Sequence, residues 1–494
     1  MNENKSKGIV WLFISKFFPP IINFAVFTYS ARILAPEDFG LIAFALSIIY
    51  ISSSLMPVGW RESIIKFQIN DSQTISSIFW LNFFVSILLS FTILVFCLLS
   101  PFGFQTEIFN YALAIFCVKL VFDGLYATLN ILLLKEQKYK NLALRTFLSG
   151  ILSASIIILL LTLGYGIWAL IWSQVVLSIF NFIVVYTPTR HSIKLTFKWK
   201  HIIKLNSFSV YTTLTNGLTF ALSHYESLII GSVLGNRQLG FYSVAKRLST
   251  IMNEIFIGTV SEVSFPILAK TQAENGNLRV GFLNSVYFSV ALLYPVFIFL
   301  LAYAPDIFVV LFTEKWMDSV PIFQAFCIAY MIVILGIPQK NIILLTNNAK
   351  WWFHLQLKLS LIIVPITTAC VYWGLNSFLI ALIIGKLTYC TASMIRSCKL
   401  LNISIKHYLS SFISPVICAV VSIILTVNLG KLLFVFNKII VNVFLAGLCY
   451  IITYFILMYM LDGKKLINNS LSVFPKNKTI IKLANKLNYK EIAE

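Results

Sequence analysis

Runs of apolar residues long enough to cross a bilayer recur along nearly the whole chain, separated by short polar stretches. A helical crossing needs about 20 apolar residues. The pattern therefore predicts helices near 9–34, 40–60, 76–100, 108–132, 142–164, 166–186, 206–231, 238–265, 282–303, 318–339, 354–372, 375–396, 410–430 and 436–461. The segment 238–265 departs from the rest, because Lys246, Arg247, Glu254 and Glu262 interrupt it. Either it lies on the surface, or its polar side faces a water-filled cavity inside the bundle. Pro19 and Pro20 in the first helix, Pro57 and Gly59 in the second, and Pro266 after the eighth mark bends that line a cavity or allow rocking.

An internal repeat appears at an offset of 200 residues. The stretch 31–45, ARILAPEDFGLIAFA, lies over 231–245, GSVLGNRQLGFYSVA. Leu34/Leu234, Gly40/Gly240 and Ala45/Ala245 are identical, and in both copies a helix ends, a polar turn follows and Gly opens the next helix. Six helices per repeat give both copies the same orientation, so this is a parallel repeat of two bundles. The chain divides on this reading into a six-helix lobe at 1–190, a basic connector at 191–205 and a second six-helix lobe at 206–400. Two additional helices at 401–465 and a basic tail at 466–494 complete it. The connector region, TPTRHSIKLTFKWKHIIKL at 187–205, mixes basic and apolar residues. It suits a helix lying on anionic headgroups or an ordinary basic loop.

Composition changes the picture only in detail. Of 494 residues 59% are hydrophobic and 11% charged, with mean hydropathy +0.87, which excludes a large soluble domain. The formal net charge of +20 would suggest nucleic acid in a soluble protein. Here its placement explains it. With a cytoplasmic N-terminus every inner loop is basic, for example Lys135, Lys138, Lys140 and Arg145, then Arg190, Lys194, Lys198, Lys200 and Lys204. The outer loops hold only Arg32, Arg237, Lys315, Lys431 and Lys438. That is the positive-inside bias, and it places both termini in the cytoplasm with no nucleic-acid partner. The eight cysteines form no CxxC and fall in or beside apolar segments, as packing residues do.

Charges at bilayer depth are the candidate chemistry, because each costs at least about 2.5–3.5 kcal/mol on insertion scales. Lys16 lies about 12 Å into the first helix at 1.5 Å per residue. Lys119 and Lys386 lie near the midplane, and Lys246 and Arg247 enter from the outer end of the eighth helix. Asp123 stands at i,i+4 from Lys119 and can neutralise it on the same helix. His224, Glu226, Glu254 and Glu262 are further charge partners. Lys16, Lys246, Arg247 and Lys386 have no acid at helical spacing, and an unpaired buried cation wants an anion. No Gly-rich phosphate loop, HExxH or nucleophile elbow is present, so neither a catalytic residue, a metal site nor a cofactor is expected.

Four stretches, ARILAPEDFGLIA, the segment ending GNRQLGFYSVAKRL, FPILAK and LFTEKWMDSVPIFQ, resemble the polysaccharide flippases. The nearest subgroup is the lipopolysaccharide and colanic-acid exporter type, in the superfamily that also holds multidrug/cation antiporters and the lipid II flippase. The resemblance covers about residues 5–400. It implies an all-α integral membrane fold of about 14 transmembrane helices, in two six-helix lobes plus two C-terminal helices, with a cationic central cavity. It also implies translocation of an oligosaccharide on undecaprenyl diphosphate from the cytoplasmic to the outer leaflet of a bacterial inner membrane. Membrane lipids and polysaccharide polymerase or export proteins would be the other partners. Arg32 and Lys246 match the family pattern, whereas Arg247 stands where relatives often carry Gln, and Trp60-Arg61-Glu62 replaces a usually uncharged stretch. Arg61 is retained as a candidate cavity cation. The competing readings are a cation-coupled multidrug or metabolite antiporter of the same fold, which needs acidic cavity residues, and a membrane polymerase or acyltransferase of the same pathway.

Overall fold

A computed structural model describes residues 20–99, 107–136, 139–190, 193–203, 205–258, 268–269, 277–433 and 439–473. All regular elements among them are helices. Eleven are long and apolar enough to cross a membrane, and each overlaps a predicted span. Of the other three predicted spans, 9–34 is described only from residue 20, and 238–265 only to residue 258. The span 206–231 forms a helix too polar to count by hydropathy, with Thr212, Thr213, Thr215, Asn216, Thr219, Ser223, His224 and Glu226 along it. Large apolar side chains face outward, as Leu88 (63% exposed), Phe91 (63%) and Leu361 (68%) do, which a lipid surround stabilises and water would not.

Two compact units divide at Val244/Ala245. The first contains α1 (20–33), α2 (Pro36–Ser53), α3 (Val58–Lys66), α4 (Ser72–Leu99), α5 (Glu107–Lys135), α6 (Tyr139–Thr162), α7 (Ile167–Thr189), α8 (Trp199–Ile203) and most of α9 (Asn206–Met252). Helix α5 is the centre of this unit and packs on α2, α3, α4, α6 and α7. Its Phe109, Leu113, Phe116 and Leu120 meet Leu41, Ala45 and Ile49 of α2 and Ile171 and Val175 of α7.

Helix α2 starts where the sequence provides a first-turn proline, Pro36, with Glu37 and Asp38 beside the positive end of the helix dipole. The amide of Ala35 donates to Asp38 Oδ2 at 3.0 Å. The predicted helix 40–60 is broken in two, because the chain turns at Ser54–Pro57 and restarts as α3. Proline lacks the amide that would continue the ladder. The Gly59 amide donates instead to Thr213 Oγ1 of α9 at 2.8 Å.

The repeat has a structural counterpart. Helix α9 breaks at Gly235, whose φ of 83° lies in the region that favours glycine. A side chain at Gly40 would strike the backbone of Asn236, and one at Gly240 the backbone of Pro36. Positions 36 and 236, like 40 and 240, are equivalent in the repeat, so the two turns meet reciprocally. Glu37 and Arg237, also equivalent, form an exposed ion pair at 3.5 Å.

The second unit holds α10 (Leu278–Ala302), α11 (Ala304–Phe312), a 3₁₀ turn (Glu314–Ser319), α12 (Val320–Leu345), α13 (Ala349–Val371), α14 (Leu375–Leu400), α15 (Ile405–Ser410), α16 (Ile413–Leu433) and α17 (Ile439–Val473). Helix α12 packs on α10 and α14, and α16 packs on α10 and α17. The motif around Trp316 is a packing anchor: Trp316, Phe308, Phe312 and Phe323 are fully buried, with the Phe308 ring centroid 5.3 Å from that of Phe312 and 5.5 Å from that of Phe323.

Candidate functional site

The first unit carries charge into its interior at two places. The first is on α5, where Lys119 is buried and its Nζ lies 2.5 Å from Asp123 Oδ2, one turn along the same helix. The predicted pair is formed. Ser178 of α7 donates its hydroxyl to Asp123 Oδ1 at 2.7 Å, and Lys119 reaches the same hydroxyl at 3.4 Å. Above Lys119 lies the ring of Tyr50 of α2, with its centroid 5.9 Å from Nζ. Tyr50 in turn packs on His224 of α9 at 4.5 Å between centroids, and His224 on Phe220 at 4.8 Å. Lys119, Asp123 and His224 thus share one chain of contacts across four helices. Glu226, one turn of α9 away from Leu222 and close behind His224, is held by the Tyr242 hydroxyl, which donates to Oε2 at 2.5 Å.

The second place lies further along α5, towards Lys135. Arg145 of α6 turns back onto α5: its Nη1 donates to the Tyr126 hydroxyl and to Asn130 Oδ1 (2.6 Å), with Cζ 5.1 Å from the Tyr126 ring centroid. Its Nη2 donates to Thr146 Oγ1 at 3.1 Å, while its Nε is buried without a hydrogen-bond partner. Arg61 of α3 is half-buried next to the Glu62 carboxylate, and its Nε likewise has no hydrogen-bond partner. The adjacent Glu62 is engaged by Asn216 of α9, whose Nδ2 donates to Oε1 at 2.8 Å. Trp60 is fixed by its Nε1 donating to the Ile202 carbonyl of α8 at 3.2 Å.

The other predicted site residues are dispersed. Lys16 lies outside the described residues, as does Glu262. Arg32 is exposed on α1. Lys246, Arg247, Glu254 and Lys386 belong to the second unit. There Lys246 is half-buried, Arg247 is exposed, and Glu254 is exposed in the π turn Asn253–Ile257. Lys386 is exposed on α14 and makes no hydrogen bond or ion pair among the described residues. Arg145 is the site residue that sequence reasoning assigned elsewhere, to a basic inner loop. Its one sequence signal is that it falls inside the predicted helix 142–164. Among the described residues no group of His, Cys, Asp and Glu could hold a metal ion.

These features define a multi-pass, all-α membrane protein with cations drawn into the helices of its first unit. Residues 30–321, more than half of the chain, match the family described as polysaccharide biosynthesis protein, and the chain belongs to that family. It is 25% identical to a succinoglycan biosynthesis transport protein of Rhizobium meliloti, over 64% of this chain and 64% of that relative, so the match spans slightly less than two thirds of the relative's length. It is 22% identical to the lipopolysaccharide biosynthesis protein WzxC of Escherichia coli, over 74% of this chain and 75% of that one. Among solved structures, the lipid II flippase MurJ in an inward closed conformation superposes with a TM-score of 0.73, at 14% identity, over 93% of this chain and all of that one. An inward-facing multidrug resistance transporter of the MATE family superposes at 0.58 and 14% identity, over 80% of this chain and 98% of that one. At such identity the likeness shows the fold, and it is the fold that the sequence resemblance implied.

Proposed function

We propose that the protein is a flippase of the bacterial inner membrane, carrying undecaprenyl-diphosphate-linked oligosaccharide units from the cytoplasmic to the outer leaflet for surface polysaccharide assembly. The observation that carries this reading is the excess of cations over free carboxylates at membrane depth. Asp123 is taken by Lys119, while Arg145 and Lys386 form no ion pair among the described residues. A diphosphate carries roughly two negative charges, and charge-assisted hydrogen bonds from Lys or Arg offset its lost hydration. A cationic drug would find the opposite environment. Family membership and the transport and lipopolysaccharide biosynthesis relatives support the same substrate class.

In this reading the two six-helix lobes at 1–190 and 206–400 alternate access about a central path, with Lys16, Arg32, Lys246 and Arg247 as its further cations. No ATP is required: moving net negative charge outward is downhill by about 2.3 kcal/mol per charge per 100 mV when the cell interior is negative. Deleting the gene should abolish surface polysaccharide and accumulate glycosylated lipid in the inner leaflet, and the intact gene should restore export. Undiminished polysaccharide in the deletion strain would remove the flippase reading. For orientation, a reporter active only outside the membrane should be silent after residue 494 and active near Asp306.

A further inference from the structure

We infer that the basic connector is an anchor for anionic phospholipid. Within residues 193–203, Lys194, Lys198 and Lys200 engage headgroup phosphates of the inner leaflet, and Leu195, Phe197, Trp199 and Ile203 enter its acyl boundary. The sequence permits an ordinary basic loop here as well, and the contacts of this segment within the first unit argue against it. The inference stands apart from the identity of the substrate carried.

An ordinary loop can leave the bilayer, whereas this segment is fastened along α4. It runs against the direction of that helix, and side chains of the first turns of α4 take its backbone. The Lys194 amide donates to Ser76 Oγ at 2.7 Å and the Lys198 amide to Ser77 Oγ at 3.0 Å. Trp80 Nε1 donates to the Lys194 carbonyl at 3.1 Å, and Trp60 of α3 holds the Ile202 carbonyl. Thr74 meets the His201 ring at the cytoplasmic end of the run. Ser76 and Ser77 are buried. Irregular backbone at a membrane surface must find such partners where water thins out. Helix α4 supplies them at the level where it enters the bilayer.

With the backbone held, large side chains are left facing outward. Leu195 is 90% exposed, and Phe197, Trp199 and Ile203 are exposed too. Their neighbours identify the occupant as lipid. The Phe197 ring lies 6.2 Å from that of Phe84 on α4 and 6.1 Å from that of Trp199. Phe84 stands about 18 Å along α4 from Ser72 at 1.5 Å per residue, so Phe197 is turned toward the hydrocarbon. Phe84 also continues into Leu88 and Phe91, the outward strip of α4. The apolar side of the connector is therefore the end of a lipid-facing surface. Charge adds the headgroup. Lys194, Lys198 and Lys200 are exposed, and Lys198 donates to the neutral Gln73 Oε1 at 2.7 Å. The ammonium groups of Lys194 and Lys200 form no hydrogen bond or ion pair among the described residues. No Asp or Glu occurs in the sequence between Glu136 and Glu226. Lysines interleaved with exposed aromatic residues, on the side that the positive-inside bias places in the cytoplasm, match an anionic leaflet.

The test uses the purified full-length protein in nanodiscs of phosphatidylcholine, alone or mixed equally with phosphatidylglycerol. Lysine acetylation is read by mass spectrometry. In the mixed bilayer Lys194, Lys198 and Lys200 should react about fivefold more slowly, and high salt should restore their reactivity. Phosphatidylglycerol with a photoreactive group in its acyl chain should label residues 193–203 in preference to the matching phosphatidylcholine. Replacing all three lysines, as Lys194→Gln, Lys198→Gln and Lys200→Gln together, should cancel that preference and leave labelling by both lipids. The acetylation measurement needs no variant and so does not depend on how the triple variant folds. Equal lysine reactivity in the two bilayers would overturn the headgroup site. Protected lysines in a segment that neither acyl-chain probe labels would overturn the anchor, because the segment would then lie in water above the leaflet. Neither result touches the flippase reading.

Discussion

Helix α5 of the first unit and helix α12 of the second hold the same place in the repeat, as fourth and tenth spans, and each packs on its unit's sixth-type helix, α7 or α14. Their polar links differ in kind. Between α5 and α7 the link runs to a charged group: Ser178 of α7 donates to Asp123, which Lys119 pairs within α5. Between α12 and α14 it is neutral: buried Gln339 accepts from the Ser393 hydroxyl of α14, and it also donates to the Tyr408 hydroxyl of α15 at 2.8 Å. The neutral link satisfies its groups without bringing charge into a low-dielectric interior. Packing two such helices together therefore does not require an ion pair, and the charge in the first unit needs a different reason. Recognition or transfer of charge supplies one, and further along α5 its Tyr126 and Asn130 accept from Arg145 of α6.

Breaking the ionic link should have the largest effect on stability. Asp123→Ala strands the buried Lys119 ammonium and should destabilise the protein by about 3–5 kcal/mol, read as thermal unfolding in detergent. Copying the chemistry of the second unit, with Lys119→Gln and Asp123→Ser together, should recover most of that loss. Polysaccharide export should nevertheless remain defective in the double variant. Normal export with a stable double variant would make the pair a packing device and remove the contrast between the units.

The neutral link should give a smaller effect of a different kind. Gln339→Leu leaves the hydroxyls of Ser393 and Tyr408 without their shared partner, at a cost of about 1–3 kcal/mol. Export per folded molecule should be unchanged, measured as polysaccharide normalised to membrane-inserted protein. A loss of export beyond the loss of protein would mean that the second unit also takes part in recognition.

How much of this was legible in sequence depended on the range of each interaction. Hydropathy located the apolar spans because lipid imposes length and polarity helix by helix. The i,i+4 spacing exposed Lys119–Asp123, and the Gly40/Gly240 identity marked backbone contacts where a Cβ would not fit. The break before α3 was signalled by Pro57, but its rescue by Thr213, far along the chain, was not. Ser178 completes the ion pair from another helix, and no local pattern selects it. Arg145 was counted with the loop lysines because the positive-inside bias is a statistic over loop ends. Only the folded contact with Tyr126 shows that this arginine turns inward.

A carboxylate outside the membrane sharpens the contrast by showing how little the same group contributes when it is solvated. Asp71 precedes α4 and accepts from the amides of Gln73 (3.1 Å) and Thr74 (3.0 Å) and from the Thr74 hydroxyl (2.6 Å). Thr74 Oγ1 lies 2.7 Å from Nδ1 of His201 on α8, and that nitrogen lies 3.5 Å from Asp71. These contacts, the Thr74 hydroxyl foremost and the His201 charge least, hold the Asp71 carboxyl below its ordinary value of 3.8. A depressed carboxyl stabilises the fold above its unfolded pKa, and the contribution disappears as pH falls through the folded one. The α4 cap and its tie to α8 should therefore be intact at neutral pH and loosen progressively below about pH 4. Hydrogen exchange at the amides of residues 73–76 should report the change, and Asp71→Asn should flatten its pH dependence. Half of the Asp71 side chain is exposed, so even Asp71→Ala should cost only about 1 kcal/mol, as a lost helix cap does. That is the smallest of the three effects, and a cost as large as that of Asp123→Ala would show that burial is not what separates the two carboxylates.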